Sequence, residues 1–157
     1  MDKVEELFKI LKEKKATLGA AESCTGGRFS AKITAVPGSS EFFIGSIISY
    51  ANSVKQDVLE IPEIDIKNHG AVSQVVAEKM SRNVRELLNC TFSVSITGIA
   101  GPGGGSQTKP VGTVWFGISG LKIVKTEMKV FIGDRARVQD AASDYAIELL
   151  IKTISSL

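Results

Sequence analysis

Histidine and cysteine are scarce in this chain, and their scarcity excludes several kinds of chemistry. His69 is the only histidine, and the cysteines are Cys24 and Cys90. His69 is predicted to lie in a turn with no obvious carboxylate partner, which argues against a Ser-His-Asp triad. One histidine among scattered acidic residues also disfavours a catalytic metal site. Two distant cysteines match no metal or redox spacing and indicate a reducing compartment rather than a secreted disulfide scaffold.

Long apolar runs and a large excess of charge are also missing. No stretch approaches 18 apolar residues, so no membrane span is predicted. The start of the chain carries acidic residues and no apolar core of a signal peptide, which favours a cytoplasmic protein. A net charge of +2 gives no argument for nucleic acid or a membrane surface as the main partner. With 157 residues and no linker or repeat, we expect one domain over residues 1–157.

Apolar periodicity and turn residues predict an α/β fold. Helical and strand patterns alternate in the first half, and a hairpin at Ser119-Gly120 closes the sheet. The prediction is a three-layer α/β/α sandwich with a mixed sheet. Residues 42–50 are almost continuously apolar, which predicts a strand buried on both faces. The predicted helices begin at about residues 2, 26, 52, 73 and 135, and the predicted strands cover about residues 17–21, 42–50, 91–96, 111–118 and 122–131.

The stretch Gly19–Gly27, Gly-Ala-Ala-Glu-Ser-Cys-Thr-Gly-Gly, is the most informative part of the chain. It predicts a strand-turn-helix junction with the Ser23 hydroxyl at its mouth and free helix N–H groups able to face an anion. A polar helix cap without chemistry is the alternative. Cys24 is a competing nucleophile, but two adjacent side chains cannot both face one substrate atom.

A serine nucleophile without histidine needs another base, and lysine is the usual substitute. Lys55 follows the apolar strand, and partial desolvation there would lower its pKa toward neutrality. The alternative for Lys55 is an exposed lysine in the first turn of a helix.

Three polar or glycine-rich segments follow predicted strands, at residues 23–27, 50–55 and 97–106. Ligands of open α/β sheets bind at such strand ends. Residues 101–105 could wrap backbone N–H groups around a phosphate, although they match neither a Walker A loop nor a dinucleotide fingerprint. A flexible surface loop, with Lys109 solvated at its far end, is the alternative.

The motifs taken together resemble the CinA C-terminal domain family, the nicotinamide-nucleotide amidase (PncC-type) proteins. The segments that carry this resemblance, in the family's order, are Ala21-Glu-Ser-Cys-Thr-Gly-Gly27, Val36-Pro-Gly-Ser-Ser40, Tyr50-x-Asn-x-x-Lys55, Gly70-Ala-Val-Ser73, Thr97-Gly-Ile-Ala-Gly-Pro102, Lys109-Pro-Val-Gly-Thr-Val114 and Gly133-Asp-Arg135. The resemblance implies hydrolysis of the carboxamide of nicotinamide mononucleotide to nicotinic acid mononucleotide and ammonia, without a metal or cofactor. It also implies a homo-oligomer.

The resemblance further implies roles for individual residues. Ser23 would be the nucleophile and Lys55 its base, with Tyr50 and Thr97 supporting the catalytic site. The backbone N–H groups of residues 24–26 are candidates for stabilising the oxyanion. The candidate substrate-binding residues are Arg137, which is preferred over Arg135, together with Thr25, Gly26, Gly101, Gly103 and Gly104.

The chain departs from the usual family pattern at a few positions. Ser46 replaces a common glycine, Thr91 lies in a segment that replaces an Ala-Asp pair, and Gln139 stands where arginine is frequent. Gln139 weakens the case for phosphate binding by the last helix. The N-terminal domain of full-length CinA proteins is not found in this sequence, so we expect no nucleotide pyrophosphatase activity. Two other functions stay open: a binding or regulatory module without turnover, and an amidase for another substrate.

Overall fold

The computed structural model describes residues 1–157 and contains one five-stranded mixed sheet in the order β2-β1-β3-β4-β5. Strands β1, β2 and β3 are parallel, whereas β4 is antiparallel to β3 and forms a hairpin with β5. The strands are β1 Leu18–Glu22, β2 Phe43–Ile48, β3 Phe92–Gly98, β4 Thr113–Ser119 and β5 Val124–Val130.

Helices cover both faces of this sheet and make the predicted three-layer arrangement. The helices are α1 Lys3–Glu13, α2 Arg28–Thr34, α3 Asn52–Asp57, α4 Glu63–His69, α5 Gln74–Leu88 and α6 Arg135–Ser155, with a short 3₁₀ turn at Ser39–Glu41. The larger core packs α1, α2 and α6 on one face, and a smaller core packs α4 and α5 on the other. The predicted α/β fold with a mixed sheet is therefore confirmed.

Side-chain caps fix where the principal helices begin. Asp2 starts α1 with a capping box, and the Ser73 hydroxyl accepts a hydrogen bond from the Val76 N–H at 3.3 Å at the start of α5. Asp134 accepts from the Arg137 N–H at 2.9 Å. That cap starts α6 at Arg135, where the sequence predicts it.

Two sequence predictions about this architecture are wrong. The strand predicted to be buried on both faces, β2, is an edge strand that pairs only with β1, and Ile44 and Ile48 are about half exposed. Its run of β-branched and aromatic residues reports strand propensity, which does not distinguish an edge from a central position. His69 lies in the last turn of α4 rather than in a loop, because this seven-residue helix is too short for a clear apolar period.

The parallel pairing places the site. Glu22, at the end of β1, is in register with Ile48 of β2 and with Ile96 of β3. The chain therefore leaves all three strands at the same edge of the sheet. The residues that follow them come together there.

Candidate active site

A pocket of about 240 Å³ lies at this carboxyl edge. Ser23, Tyr50, Lys55 and Thr97, the four residues expected to carry the chemistry, all line it. Arg135, at the start of α6, lines it as well. Three strand ends and one helix start thus bring together residues that are far apart in the sequence.

The centre of the pocket is a contact between Ser23 and Lys55. The Lys55 Nζ lies 2.9 Å from the Ser23 Oγ. It also donates to the backbone carbonyl oxygens of Ser49 at 2.7 Å and Tyr50 at 3.2 Å. Helix α3 begins just after β2, and it carries Lys55 back under the turn that holds Ser23.

Lys55 is only 1% exposed, and its burial lowers its pKa to about 8. Its three hydrogen-bond partners are neutral oxygens, so no carboxylate stabilises the ammonium. A useful fraction of Lys55 is therefore the neutral amine near pH 8, where it can accept a proton. The alternative of an exposed helical lysine is wrong.

Cys24 is a poor nucleophile in this setting. Its side chain is 4% exposed, and burial raises the pKa of the thiol to about 12. Thiolate is the reactive form of cysteine, so almost none would be present near neutral pH. Of the two adjacent candidates, Ser23 is the one whose side chain is hydrogen-bonded to Lys55.

Glu22 occupies the N-terminus of α2, which the sequence assigned to an anionic ligand. This carboxylate is fully buried and accepts five hydrogen bonds, from the Thr25 Oγ1, the Ser30 Oγ and the N–H groups of Gly27, Phe29 and Ser30. The expectation of free helix N–H groups is therefore wrong. The protein supplies its own anion there.

Thr25 and Gly26 lie outside the pocket lining, so their predicted role in substrate binding gains no support from its geometry. The Thr25 side chain is buried and bonded to Glu22, and the Gly26 N–H donates to the Ser23 carbonyl at 3.1 Å. Neither residue lines the pocket. Gly26 and Gly27 have φ angles of +55° and +104°, a left-handed conformation that glycine adopts without strain and that lets the turn close.

Two N–H groups of this turn have no acceptor in another residue. The N–H of Ser23 donates to the Ile96 carbonyl at 2.9 Å, whereas the N–H groups of Cys24 and Thr25 donate to no other residue. The candidate oxyanion donors, expected over residues 24–26, are therefore reduced to these two, and of the two residues only Cys24 lines the pocket.

Thr97 and Tyr50 hold the walls of the pocket. The Thr97 Oγ1 donates to the Ala71 carbonyl at 2.9 Å, which fastens the segment between α4 and α5 against β3. Tyr50 is 58% exposed, and its hydroxyl accepts from the Arg135 guanidinium at 2.9 Å. The other terminal nitrogen of that guanidinium donates to the Gly101 carbonyl at 2.8 Å.

The structure separates the two candidate arginines. Arg135 lines the pocket, whereas Arg137, two residues along α6, is exposed and outside it. Successive helical residues face different directions, so only one of the pair can reach a given site. The geometry therefore favours Arg135, and substrate binding by either arginine stays a prediction.

Most of the glycine-rich loop after β3, residues 101–105, lies outside the pocket. Gly103 and Gly104 are exposed and outside the pocket, whereas Ala100 lines it and the Gly101 carbonyl accepts a hydrogen bond from Arg135. The Lys109 Nζ donates to the His69 carbonyl at 2.6 Å and so joins this loop to the end of α4. Phosphate binding by the loop stays a prediction.

Two further residues of this region have no role predicted from the sequence. Asn52 lines the pocket, and it belongs to the segment between Tyr50 and Lys55 that the resemblance had already marked. Gln139 is 6% exposed and donates to the Cys24 carbonyl at 3.0 Å. A lone glutamine in a helix carries no sequence signal for that contact.

No group of three or more histidine, cysteine, aspartate or glutamate side chains in residues 1–157 is arranged to hold a metal ion. None of the helices has the length and apolar character needed to cross a membrane.

Comparison with known proteins connects this geometry to a family. The sequence model of the CinA C-terminal domain matches residues 2–154. The chain belongs to this family. A CinA-like protein of Prochlorococcus marinus strain MIT 9515 is 52% identical over 134 residues, which cover 85% of this chain and 31% of the relative. A CinA-like protein of Leptospira interrogans is 45% identical over 159 residues, covering 100% of this chain and 38% of the relative.

Solved structures of the CinA superfamily share the fold. The competence damage-inducible protein A of Klebsiella pneumoniae superposes with a TM-score of 0.94 at 29% identity, covering 98% of this chain and 95% of that one. CihA of Agrobacterium tumefaciens gives a TM-score of 0.89 at 32% identity, covering 97% and 95%. This CinA domain spans about a third of the length of the curated relatives that it matches, with shares of 31% and 38% in the two examples above.

Proposed function

We propose that this CinA domain hydrolyses the carboxamide of nicotinamide mononucleotide, with Ser23 as nucleophile and Lys55 as base. The observation that supports the proposal best is the 2.9 Å contact between the Ser23 Oγ and the Lys55 Nζ. Lys55 is buried among neutral partners and has a pKa lowered to about 8, as a base working near neutrality requires. A module that only binds ligands needs no such lysine.

In the first half of the reaction, the neutral Lys55 amine takes the proton of Ser23 while the Ser23 Oγ bonds to the carboxamide carbon. The carbonyl oxygen becomes an oxyanion, and the N–H of Cys24, a residue that lines the pocket, is its candidate donor. Losing one such donor raises the barrier by about 3 kcal/mol. Lys55 then returns its proton to the departing nitrogen and the C–N bond breaks. Ammonia departs, and the acyl group stays bound to Ser23 as an ester.

In the second half, Lys55 is neutral again and takes a proton from a water molecule that attacks this ester. The new tetrahedral intermediate collapses, and the Ser23 Oγ recovers a proton from Lys55. The product is nicotinic acid mononucleotide. One lysine thus serves both halves of the reaction, because each half begins and ends with the same protonation state.

Arg135 supplies the positive charge that a mononucleotide phosphate needs at the mouth of the pocket. Its guanidinium is held in place by the Tyr50 hydroxyl and the Gly101 carbonyl, and it has no carboxylate partner. Charge-assisted hydrogen bonds from an arginine to a phosphate are among the strong interactions in proteins. The riboside, which lacks the phosphate, should therefore be a poorer substrate.

The test is release of ammonia and nicotinic acid mononucleotide from nicotinamide mononucleotide at about pH 8.5, without added metal. We expect Ser23→Ala and Lys55→Met to reduce kcat to background while both variants stay folded. Cys24→Ala is the matched control, since it alters the neighbouring nucleophile candidate in the same turn and should retain activity.

Other outcomes would replace the proposal with an identifiable alternative. A folded wild type that binds the mononucleotide and releases no ammonia would make the domain a binding module. Activity that survives in Ser23→Ala and disappears in Cys24→Ala would make the thiol the nucleophile. Activity on the riboside equal to that on the mononucleotide would remove the phosphate from substrate recognition.

A further inference from the structure

Gln139 reaches the nucleophile turn from the buried side of α6. It lies one helical turn after Arg135, so the two side chains share a face of the helix. Arg135 borders the pocket, and Gln139 lies deeper, where its Nε2 donates to the Cys24 carbonyl at 3.0 Å. This is the only hydrogen bond that the Cys24 carbonyl accepts in the protein.

That bond fixes a whole peptide group and not only one oxygen. The Cys24 carbonyl and the Thr25 N–H belong to the same planar trans peptide, in which C=O and N–H point in opposite directions. With the carbonyl held toward α6, the Thr25 N–H points away from α6. The same bond restrains Cys24, which lines the pocket and whose own N–H has no acceptor in another residue.

The rest of the turn is held by other contacts. Glu22 binds the N–H groups of Gly27 and Phe29, and the Gly26 N–H is bonded to the Ser23 carbonyl. The peptide between Cys24 and Thr25 is the one that a side chain of α6 binds. Removing the Gln139 amide would therefore remove the only hydrogen bond that the Cys24 carbonyl makes within the protein.

We propose that Gln139 is a positioning residue for amide hydrolysis. By binding the Cys24 carbonyl, it holds in place Cys24, which lines the pocket beside Ser23 and carries the candidate oxyanion donor. The inference rests on the proposed function and goes beyond it, because Gln139 touches neither the substrate nor the reacting atoms. Its loss should lower kcat and leave KM nearly unchanged. The carbonyl oxygen of the bound substrate carries little of the negative charge that develops in the transition state.

The experiment compares two substitutions at Gln139 with one at Ser143. Gln139→Met keeps the length of the side chain and removes the donor, and Gln139→Glu keeps the shape and replaces the donor with an acceptor. Ser143→Ala is the matched control. Ser143 is fully buried one turn further along α6 and donates to the Gln139 backbone carbonyl at 2.8 Å, so its loss weakens the same helix without touching Cys24.

We expect both Gln139 variants to lower kcat about 10- to 100-fold on nicotinamide mononucleotide, with KM within about threefold of wild type. Gln139→Met should leave the pH dependence set by Lys55 unchanged, because it adds no charge near the lysine. Ser143→Ala should keep kcat within about twofold even if its melting temperature falls. Thermal unfolding of each variant separates lost stability from lost turnover.

The inference is overturned if a folded Gln139→Met has the kcat of wild type, or if its loss appears in KM alone. It is also overturned if Ser143→Ala loses as much activity, since the effect would then be one of helix packing. If Gln139→Met fails to fold, Gln139→Glu decides by the same criteria. An inactive wild type refutes the amidase itself, and the role of Gln139 with it, whereas an active wild type with unimpaired Gln139 variants refutes only that role.

Discussion

The rate of the proposed reaction should rise with pH in a way set by one buried lysine. Burial lowers the pKa of Lys55 to about 8, and only the neutral amine can take the proton of Ser23. With that pKa, about one tenth of Lys55 is neutral at pH 7 and about nine tenths at pH 9. The structure therefore predicts an increase of about tenfold in kcat/KM between these two values, with a plateau above them.

An ordinary lysine would behave differently. A pKa of about 10.4 would leave the rate still rising tenfold per pH unit at pH 9. A histidine base would give a plateau already reached by about pH 7.5. The midpoint of the dependence of kcat/KM on pH thus identifies the base. That midpoint depends on the burial of Lys55 and not only on the presence of a lysine.

The assay is direct chromatographic measurement of nicotinic acid mononucleotide at low substrate concentration, from about pH 6 to pH 10. A coupled ammonia assay is unsuitable here, because the coupling enzyme has a pH dependence of its own. Lys55→Arg is the matched control, since it keeps a cation of similar length that stays protonated, and it should be inactive throughout. A flat profile, or a midpoint near 10, would refute the claim that a desolvated Lys55 is the base.

Three further predictions concern binding and stability. Arg135→Ala should raise the KM for the mononucleotide more than about tenfold, since it removes a charge-assisted contact, whereas Arg137→Ala should leave KM unchanged in the same kinetic measurement. Glu22→Gln should lower the free energy of unfolding by about 3 kcal/mol, because an amide NH₂ would face backbone N–H groups, and a chemical denaturation curve that matches wild type would refute this. Lys55 has a lower pKa folded than unfolded, so the unfolded chain binds more protons between about pH 8 and pH 10.4, and stability due to this residue rises with pH there. The difference in unfolding free energy between wild type and Lys55→Met should therefore grow by about 3 kcal/mol in favour of wild type across that range, and a constant difference would contradict it.

Much of this architecture could be predicted from the sequence because its signals are local. The apolar stripe of α6 and its cap at Asp134 mark that helix, and Ser73 marks the start of α5. Placing Ser23, Lys55 and Thr97 at one edge of the sheet required only that strands β1 to β3 be parallel. That arrangement is typical of alternating helices and strands.

What could not be predicted depends on long-range contacts. The exposure of β2 follows from its place at the edge of the sheet, which the composition of the strand does not encode. The choice between Arg135 and Arg137 depends on how α6 is rotated about its axis. The contact between Gln139 and Cys24 joins residues 115 positions apart, and no periodicity in either segment predicts it.

Glu22 and Lys55 show why two charged residues of one site have different tasks. Both are buried, and burial of a charge is costly unless polar groups replace the lost water. Glu22 is surrounded by five donors, three of them at the start of a helix, so its negative charge is stabilised where it is.

Lys55 has three acceptors, and all are neutral oxygens that satisfy its N–H groups without opposing its charge. Such partners fix the position of the nitrogen and leave its ammonium form expensive, which is why its pKa falls to about 8. A carboxylate in place of any one of them would hold the lysine permanently charged and remove the base. The partners of a buried charge, and not its burial alone, therefore separate the residue that holds the turn from the residue that can move a proton.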